Sequence, residues 1–208
     1  MADVVVTDNQ APTRISEKND PPLRVLLVST SLVPGRRFPA PVEFANALVE
    51  EGMSVLFAAA IGPMRTGLAR AVGYLLVDDA EEAPVKTAHE LSRLVHHHQP
   101  DIVHAHGARC AVVSALAIRA CRAKCARVMT HYSPGLRRFP SWIKGPVLRH
   151  CADRYFAASQ ALATELEGLG VAADRIRLEP IDESHASQFA RDSIVVYRDL
   201  VGFGNGTD

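Results

Sequence analysis

Short, continuously apolar runs rich in β-branched residues alternate along this chain with longer stretches whose apolar residues recur every three or four positions. The runs are LRVLLVST (23–30), MSVLFAAA (53–60), YLLV (74–77), DIVHAH (101–106), ARVMTHY (126–132), DRYFAAS (153–159) and RIRLE (175–179). Such runs are expected of strands buried on both faces, as in a parallel sheet. Between them, APVEFANALVEEG (40–52) places Val42, Ala45, Leu48 and Val49 at helical spacing and stops at Gly52. VKTAHELSRLVHHH (85–98) places Ala88, Leu91, Leu94 and Val95 on one helical face, and ARCAVVSALAIRACR (108–122) and QALATELEGLG (160–170) also read as helices. GPMRTGLARAVG (62–73) is irregular. Strand and helix alternating in this way imply βαβ units, and so an α/β fold with a doubly wound parallel sheet.

The ends differ from this pattern. Residues 1–22, closing on EKNDPP, are polar and proline-flanked and are expected to form a mobile, disordered tail. The domain proper is expected over 23–182. Residues 183–208 are expected to be a linker or the truncated start of another domain, because DSIVVYRDLVGFGNGTD begins like a strand and then turns glycine-rich.

Composition narrows the function classes. The chain has 208 residues, 48% of them apolar, enough for one sizeable core. Lysine plus arginine and aspartate plus glutamate both number 23, so no global field draws the chain to nucleic acid. No apolar run reaches membrane-spanning length, and the first residues lack the layout of a secretory signal. Four cysteines (110, 121, 125 and 151) do not suggest a disulfide framework at this length. The expectation is a soluble cytoplasmic protein with reduced thiols.

The candidate chemistry gathers at strand ends, because ligands of doubly wound sheets bind at the carboxyl edge. His106 ends the strand DIVHAH, and Gly107 allows the turn there. Ile102, His104 and His106 share one face by alternation. His104, one pair of residues deeper, is expected to be a hydrogen-bonded core histidine. His106 is expected at the site itself, and His131, at the tip of the next strand, is expected to face the same cleft. In the loop after the first strand, Gly35 and Arg36 are candidate anion contacts, although adjacent arginines also fit a solvated loop. Metal binding is not expected: the HHH run at 96–98 suits the negative end of a helix, and no recognised zinc spacing is present. Neither GxGxxG nor GxSxG occurs, against a dinucleotide site or a serine hydrolase. The segment LRRFPSWIKGPVLRH (136–150) mixes Arg137, Arg138, Lys144 and Arg149 with Phe139, Trp142 and Ile143. It suits contact with anionic lipid headgroups, or equally a loop and helix capping the core.

HHHQPDIVHAHGARCAVVSALAIR, ARVMTHYSPG and CADRYFAASQALATELEGLGVAADRIRLEP run in the order and spacing of a glycosyltransferase family 4-like amino-terminal domain. Asp153, Ser159, Leu166, Gly170, Val171 and Ile176 fill that family's final pattern, and the resemblance spans about 23–180. It implies one Rossmann-like domain of the two-domain GT-B architecture, the half that shapes the acceptor side of the cleft. It also implies sugar transfer from a nucleotide-sugar co-substrate with retention of configuration, and no metal or other cofactor. The acceptor would be a carbohydrate or lipid-linked acceptor, as in cell-envelope polysaccharide or glycolipid synthesis. By resemblance His106 is the catalytic histidine near the reacting sugar, and His131, Gly107 and Ser159 line the substrate site. Arg137, Arg138, Trp142 and Lys144 would meet the acceptor or the inner face of the membrane as a peripheral contact.

This sequence departs from the family pattern in the first loop, where APVE (40–43) replaces a glycine pair. It also has EEGMSV for the usual ERGHEV, and EPIDE without the expected Asn-Gly. The donor-binding domain is absent from these 208 residues. If the chain is catalytic, that half is expected either from a separate partner protein or from the missing remainder of a truncated chain; the alternative is a non-catalytic partner or regulatory module that retains the fold.

Overall fold

A computed structural model of the chain describes residues 21–31, 41–132, 141–179 and 185–204. Seven strands, β1 (Arg24–Ser31), β2 (Ser54–Ala60), β3 (Gly73–Leu76), β4 (Ile102–His106), β5 (Ala126–His131), β6 (Arg154–Ala157) and β7 (Ile176–Leu178), form one sheet. Its order is β3-β2-β1-β4-β5-β6-β7, with every pairing parallel. The helices are α1 (Pro41–Glu50), α2 (Pro84–His98), α3 (Ala108–Cys121), α4 (Ser141–Leu148), α5 (Gln160–Gly168) and α6 (Ala186–Gly204). This is the expected Rossmann-like α/β fold. The order reverses between β1 and β4: the chain builds outward from β1 to β3 and then returns to the other side of β1.

Alternation along the strands divides the core in two. Leu26, Val28, Val103, Ala105, Met129 and Tyr155 pack with residues of α2, α3 and α5. Val25, Leu27, Ile102, Val128 and Phe156 turn the other way and pack with α1 and α6. With both faces covered, the strands tolerate the unbroken apolar runs read from the sequence.

At the amino edge of the sheet the same clamp occurs twice. The Asp101 carboxylate, just before β4, accepts hydrogen bonds from the backbone N–H of Arg24 at 2.8 Å and from its guanidinium at 2.9 Å. The Asp153 carboxylate, just before β6, takes the backbone N–H of Arg127 at 2.8 Å and its guanidinium at 2.6 Å. Each clamp ties the start of one strand to its neighbour. Partial burial raises the Asp101 pKa, but the Arg24 hydrogen bonds and charge outweigh it and hold the carboxyl below its usual range.

The expectation for the carboxy-terminal stretch is corrected. Residues 186–204 form helix α6, not a strand or a linker, and α6 packs on this same sheet. Phe189, Ala190, Ser193, Ile194 and Tyr197 are buried, whereas Val195 is 55% exposed. Their spacing of one, three and four residues makes a helical stripe. Strand alternation would have buried Val195 together with Ser193 and Tyr197. The Phe189 ring stacks on Phe44 of α1 with centroids 4.7 Å apart, and Arg191 pairs with Glu51 at 3.3 Å. The expected tail lies outside the described residues as far as residue 20.

Candidate functional site

A reversal of strand order opens a crevice at the carboxyl ends of the two strands beside it. Here those strands are β1 and β4, and β4 ends on His106. Gly107 follows with φ +93°, a left-handed conformation that favours glycine. Its N–H donates to the Thr130 carbonyl at 2.9 Å, holding the turn against β5, and its own carbonyl accepts the N–H of Ala111 as α3 begins. The amino end of α3 is thus anchored at the crevice.

Beneath this turn lies a buried aromatic and polar stack. His104 is fully buried, with Nδ1 2.5 Å from the Tyr197 hydroxyl of α6 and Nε2 2.6 Å from the Thr130 hydroxyl of β5. Both ring nitrogens are satisfied, as expected for a core histidine. His106 stacks on His104 with centroids 4.9 Å apart and planes 13° apart, and meets Phe44 edge-on at 5.6 Å. Ile102, His104 and His106 therefore share the face predicted by alternation.

The expectation of an open half-pocket lined by His106 is corrected here. The residue is 1% exposed, covered on the α1 side by Phe44 and from below by His104. Burial pushes its pKa down to about 4, so the ring is neutral at pH 7. Burial likewise holds His104 well below the ordinary histidine value, and repulsion from a protonated His106 acts in the same direction. A neutral imidazole donates one hydrogen bond and accepts another but carries no cation to stabilise a developing negative charge.

His131 ends β5 and is also 1% exposed, with Nε2 3.4 Å from a Glu165 carboxylate oxygen of α5. Burial lowers its pKa, and the Glu165 hydrogen bond and charge oppose that shift. Ser159 caps α5: its hydroxyl oxygen accepts the Leu162 N–H at 3.4 Å. That bond stabilises a helix end, a sufficient reason for serine at this position. Gly35, Arg36, Arg137 and Arg138 lie outside the described residues. Trp142 and Lys144 fall on α4, with their side chains outside the described set.

The structure thus brings His106, Gly107 and His131 to the carboxyl edges of adjacent strands, with Ser159 just beyond β6. Sequence reasoning missed Phe44, Thr130, Glu165 and Tyr197, which surround those histidines. Of these, Phe44 and Tyr197 had a signal, since each lies on an apolar helical stripe. Thr130 and Glu165 become partners only through pairing of distant segments. Among the described residues there is no group of three or more histidine, cysteine or acidic side chains that could hold a metal ion. No described helix is long and apolar enough to cross a membrane.

A sequence model of Glycosyltransferase Family 4 matches residues 41–180. No curated protein sequence matches the chain. Among solved structures, UDP-GlcNAc 2-epimerase from Methanocaldococcus jannaschii is similar with a TM-score of 0.56 and 15% identity, over 89% of this chain and 53% of that one. Anabaena Alr3699/HepE in complex with UDP and glucose gives a TM-score of 0.55 and 16% identity, over 75% of this chain and 44% of that one. The UDP-GlcNAc 2-epimerase from Neisseria meningitidis bound to UDP-GlcNAc gives 0.54 and 12%, over 84% and 51%. The chain therefore spans about half the length of these structures, and at such identities the likeness is one of fold. With the family pattern matched over two thirds of its residues and the parallel sheet that pattern requires, this chain belongs to Glycosyltransferase Family 4.

Proposed function

We propose that the chain forms the acceptor-side half of a nucleotide-sugar-dependent glycosyl transfer site, completed by a donor-binding half. The observation that carries this reading is the family match falling on a sheet whose crevice-forming strand ends on His106-Gly107. Proteins of similar fold are solved with UDP, glucose or UDP-GlcNAc bound, which supports a nucleotide sugar as the donor. In this reading the N–H groups at the start of α3 face the donor's diphosphate, since a helix amino end favours negative charge. The neutral imidazole of His106 accepts or donates a hydrogen bond at a sugar hydroxyl, and His131, held by Glu165, forms the adjoining wall. Contact with His106 requires the closed stack to part when the second lobe docks. Gly35 and Arg36 extend the anion contacts, and Ser159 borders the acceptor. Arg137, Arg138, Trp142 and Lys144 meet a lipid-linked acceptor at the cytoplasmic face of the membrane.

Half a cleft neither excludes water nor orients two substrates, and positioning supplies much of enzymatic rate enhancement. The isolated chain is therefore expected to show no transfer from UDP-sugars, and activity should appear once a donor-binding half is supplied, whether as a co-purifying partner or as sequence continuing this chain. Robust turnover by the pure 208-residue chain would overturn this reading.

One observation favours a second reading, a non-catalytic partner module: His106 is sealed and His131 is already engaged by Glu165. Replacing His106 separates the two readings. Lost activity of the complex with an intact fold supports catalysis; unchanged activity supports the module.

A further inference from the structure

The helix α3 carries chemistry at its other end as well. It has 14 residues, a rise of about 21 Å, so its last turn lies far from Gly107 and the carboxyl edge of the sheet. A groove of about 380 Å³ runs there between α3 and the end of α4. This volume falls in the range of small-molecule pockets, roughly 300–1,000 Å³. Val112, Ala115 and Leu116 line it from α3, and Val147 lines it from α4. Leu116 is 55% exposed, an apolar side chain left at the surface.

One end of the groove is cationic. Arg119 in the last turn of α3 and Arg122 at its C-cap line it, together with Arg127 and His150. The Arg127 guanidinium is already held by the Asp153 carboxylate at 2.6 Å and by the His150 carbonyl at 3.0 Å. Arg119 and Arg122 are exposed, and among the described residues neither guanidinium has an acidic or hydrogen-bonding partner. They complement the negative end of the α3 dipole, yet among the described residues no carboxylate pairs with either of these two positive charges at the mouth of an apolar trough. Its walls are largely helical, with backbone groups bonded internally; even the α3 terminus is closed by the Arg122 and Ala123 N–H groups. An extended peptide laid there would find no partners for its amides. A hydrocarbon chain needs none.

We propose that this groove binds a single-chain amphipathic anion: a medium-length hydrocarbon chain lies along Val112, Leu116 and Val147, and its anionic head sits between Arg119 and Arg122. The occupant is a free amphiphile rather than a bilayer surface, because the feature is a concavity sized for one chain. The site is independent of the glycosyl-transfer reading, lying at the opposite end of α3 from His106.

Calorimetric titration of the full chain with decanoate, below its micelle concentration, tests this. Saturable binding of one decanoate per chain is expected, with acetate silent. An Arg119→Ala/Arg122→Ala double variant should weaken affinity about tenfold or more, the change expected on losing a charge-assisted hydrogen bond. Leu116→Asp should weaken it further. These side chains are exposed or half-lining, and an unchanged circular dichroism spectrum verifies the fold of each variant. Absence of saturable binding overturns the proposal, as does affinity indifferent to both variants. Flotation with phosphatidylglycerol vesicles that depends on Leu116 and the two arginines, without decanoate binding, would mean a bilayer contact instead and equally overturns it. So would a Leu116-dependent dimer seen by light scattering in place of decanoate binding.

Discussion

The stacked histidines under the β4 turn should make this domain acid-sensitive in a defined window. Burial lowers the His106 pKa from 6.5 to about 4. Between those values the unfolded chain binds more protons at this residue than the folded one. Its contribution to stability is therefore fully present above pH 6.5, declines as the solution is acidified, and is lost below about pH 4. At about 1.4 kcal/mol per pKa unit, the whole shift amounts to about 3 kcal/mol, and about 2 kcal/mol of it falls between pH 7 and pH 5. For a domain of this size about 1 kcal/mol moves the melting temperature by about 2–4 °C, so acidification to pH 5 should lower Tm by about 4–8 °C through His106 alone. His104 and His131 shift in the same direction and add to the total. The His106→Phe variant isolates the effect, because a phenyl ring keeps the stack on His104 and Phe44 while removing the titration. Its stability, measured by urea denaturation at half-unit steps from pH 7 to pH 4.5, should fall less steeply by up to about 1.4 kcal/mol per pH unit. Equal slopes for wild type and variant would refute the reasoning. So would an NMR titration placing the His106 imidazole near 6.5 in the folded protein.

Two further predictions concern the frame around that stack. Tyr197→Phe removes the hydroxyl from His104 Nδ1 and leaves a buried polar atom without its partner, so urea denaturation should show a loss of about 1–3 kcal/mol. Gly107→Ala forces a side chain onto φ +93°, while an added Cβ would lie 3.5 Å from the Tyr132 hydroxyl, an ordinary contact. The cost is therefore in the backbone, about 1–3 kcal/mol, and should register as a lowered Tm.

Much of this architecture was legible because a parallel sheet covered on both faces leaves an unmistakable pattern. LRVLLVST and DIVHAH had to be internal strands, and β1 and β4 are adjacent at the centre of the sheet. The alternation that put Ile102, His104 and His106 on one face also holds. α6 was misread because Ile194, Val195 and Val196 are consecutive β-branched residues, a local preference for strand. The wider spacing of Phe189, Ser193 and Tyr197 carried the helical signal, and packing against Phe44 decided the outcome. The exposure of His106 was illegible for a different reason. Sequence places a residue at a strand end, but whether the ring there meets solvent depends on which helix crosses it. Here Phe44 of α1 supplies the cover. The Asp101 and Asp153 clamps were likewise hidden, because each joins residues 77 or 26 positions apart.

The strand order has a practical corollary for anyone cutting this gene. The family pattern begins at residue 41, whereas β1, residues 24–31, is the middle strand to which β2 and β4 both pair. A fragment excised at the limits of the matched pattern would lose the strip that joins its two halves, along with the last helix that roofs one of them. Expression boundaries should follow hydrogen-bonded neighbours, from Pro21 through Gly204, and not the span over which kinship can be recognised.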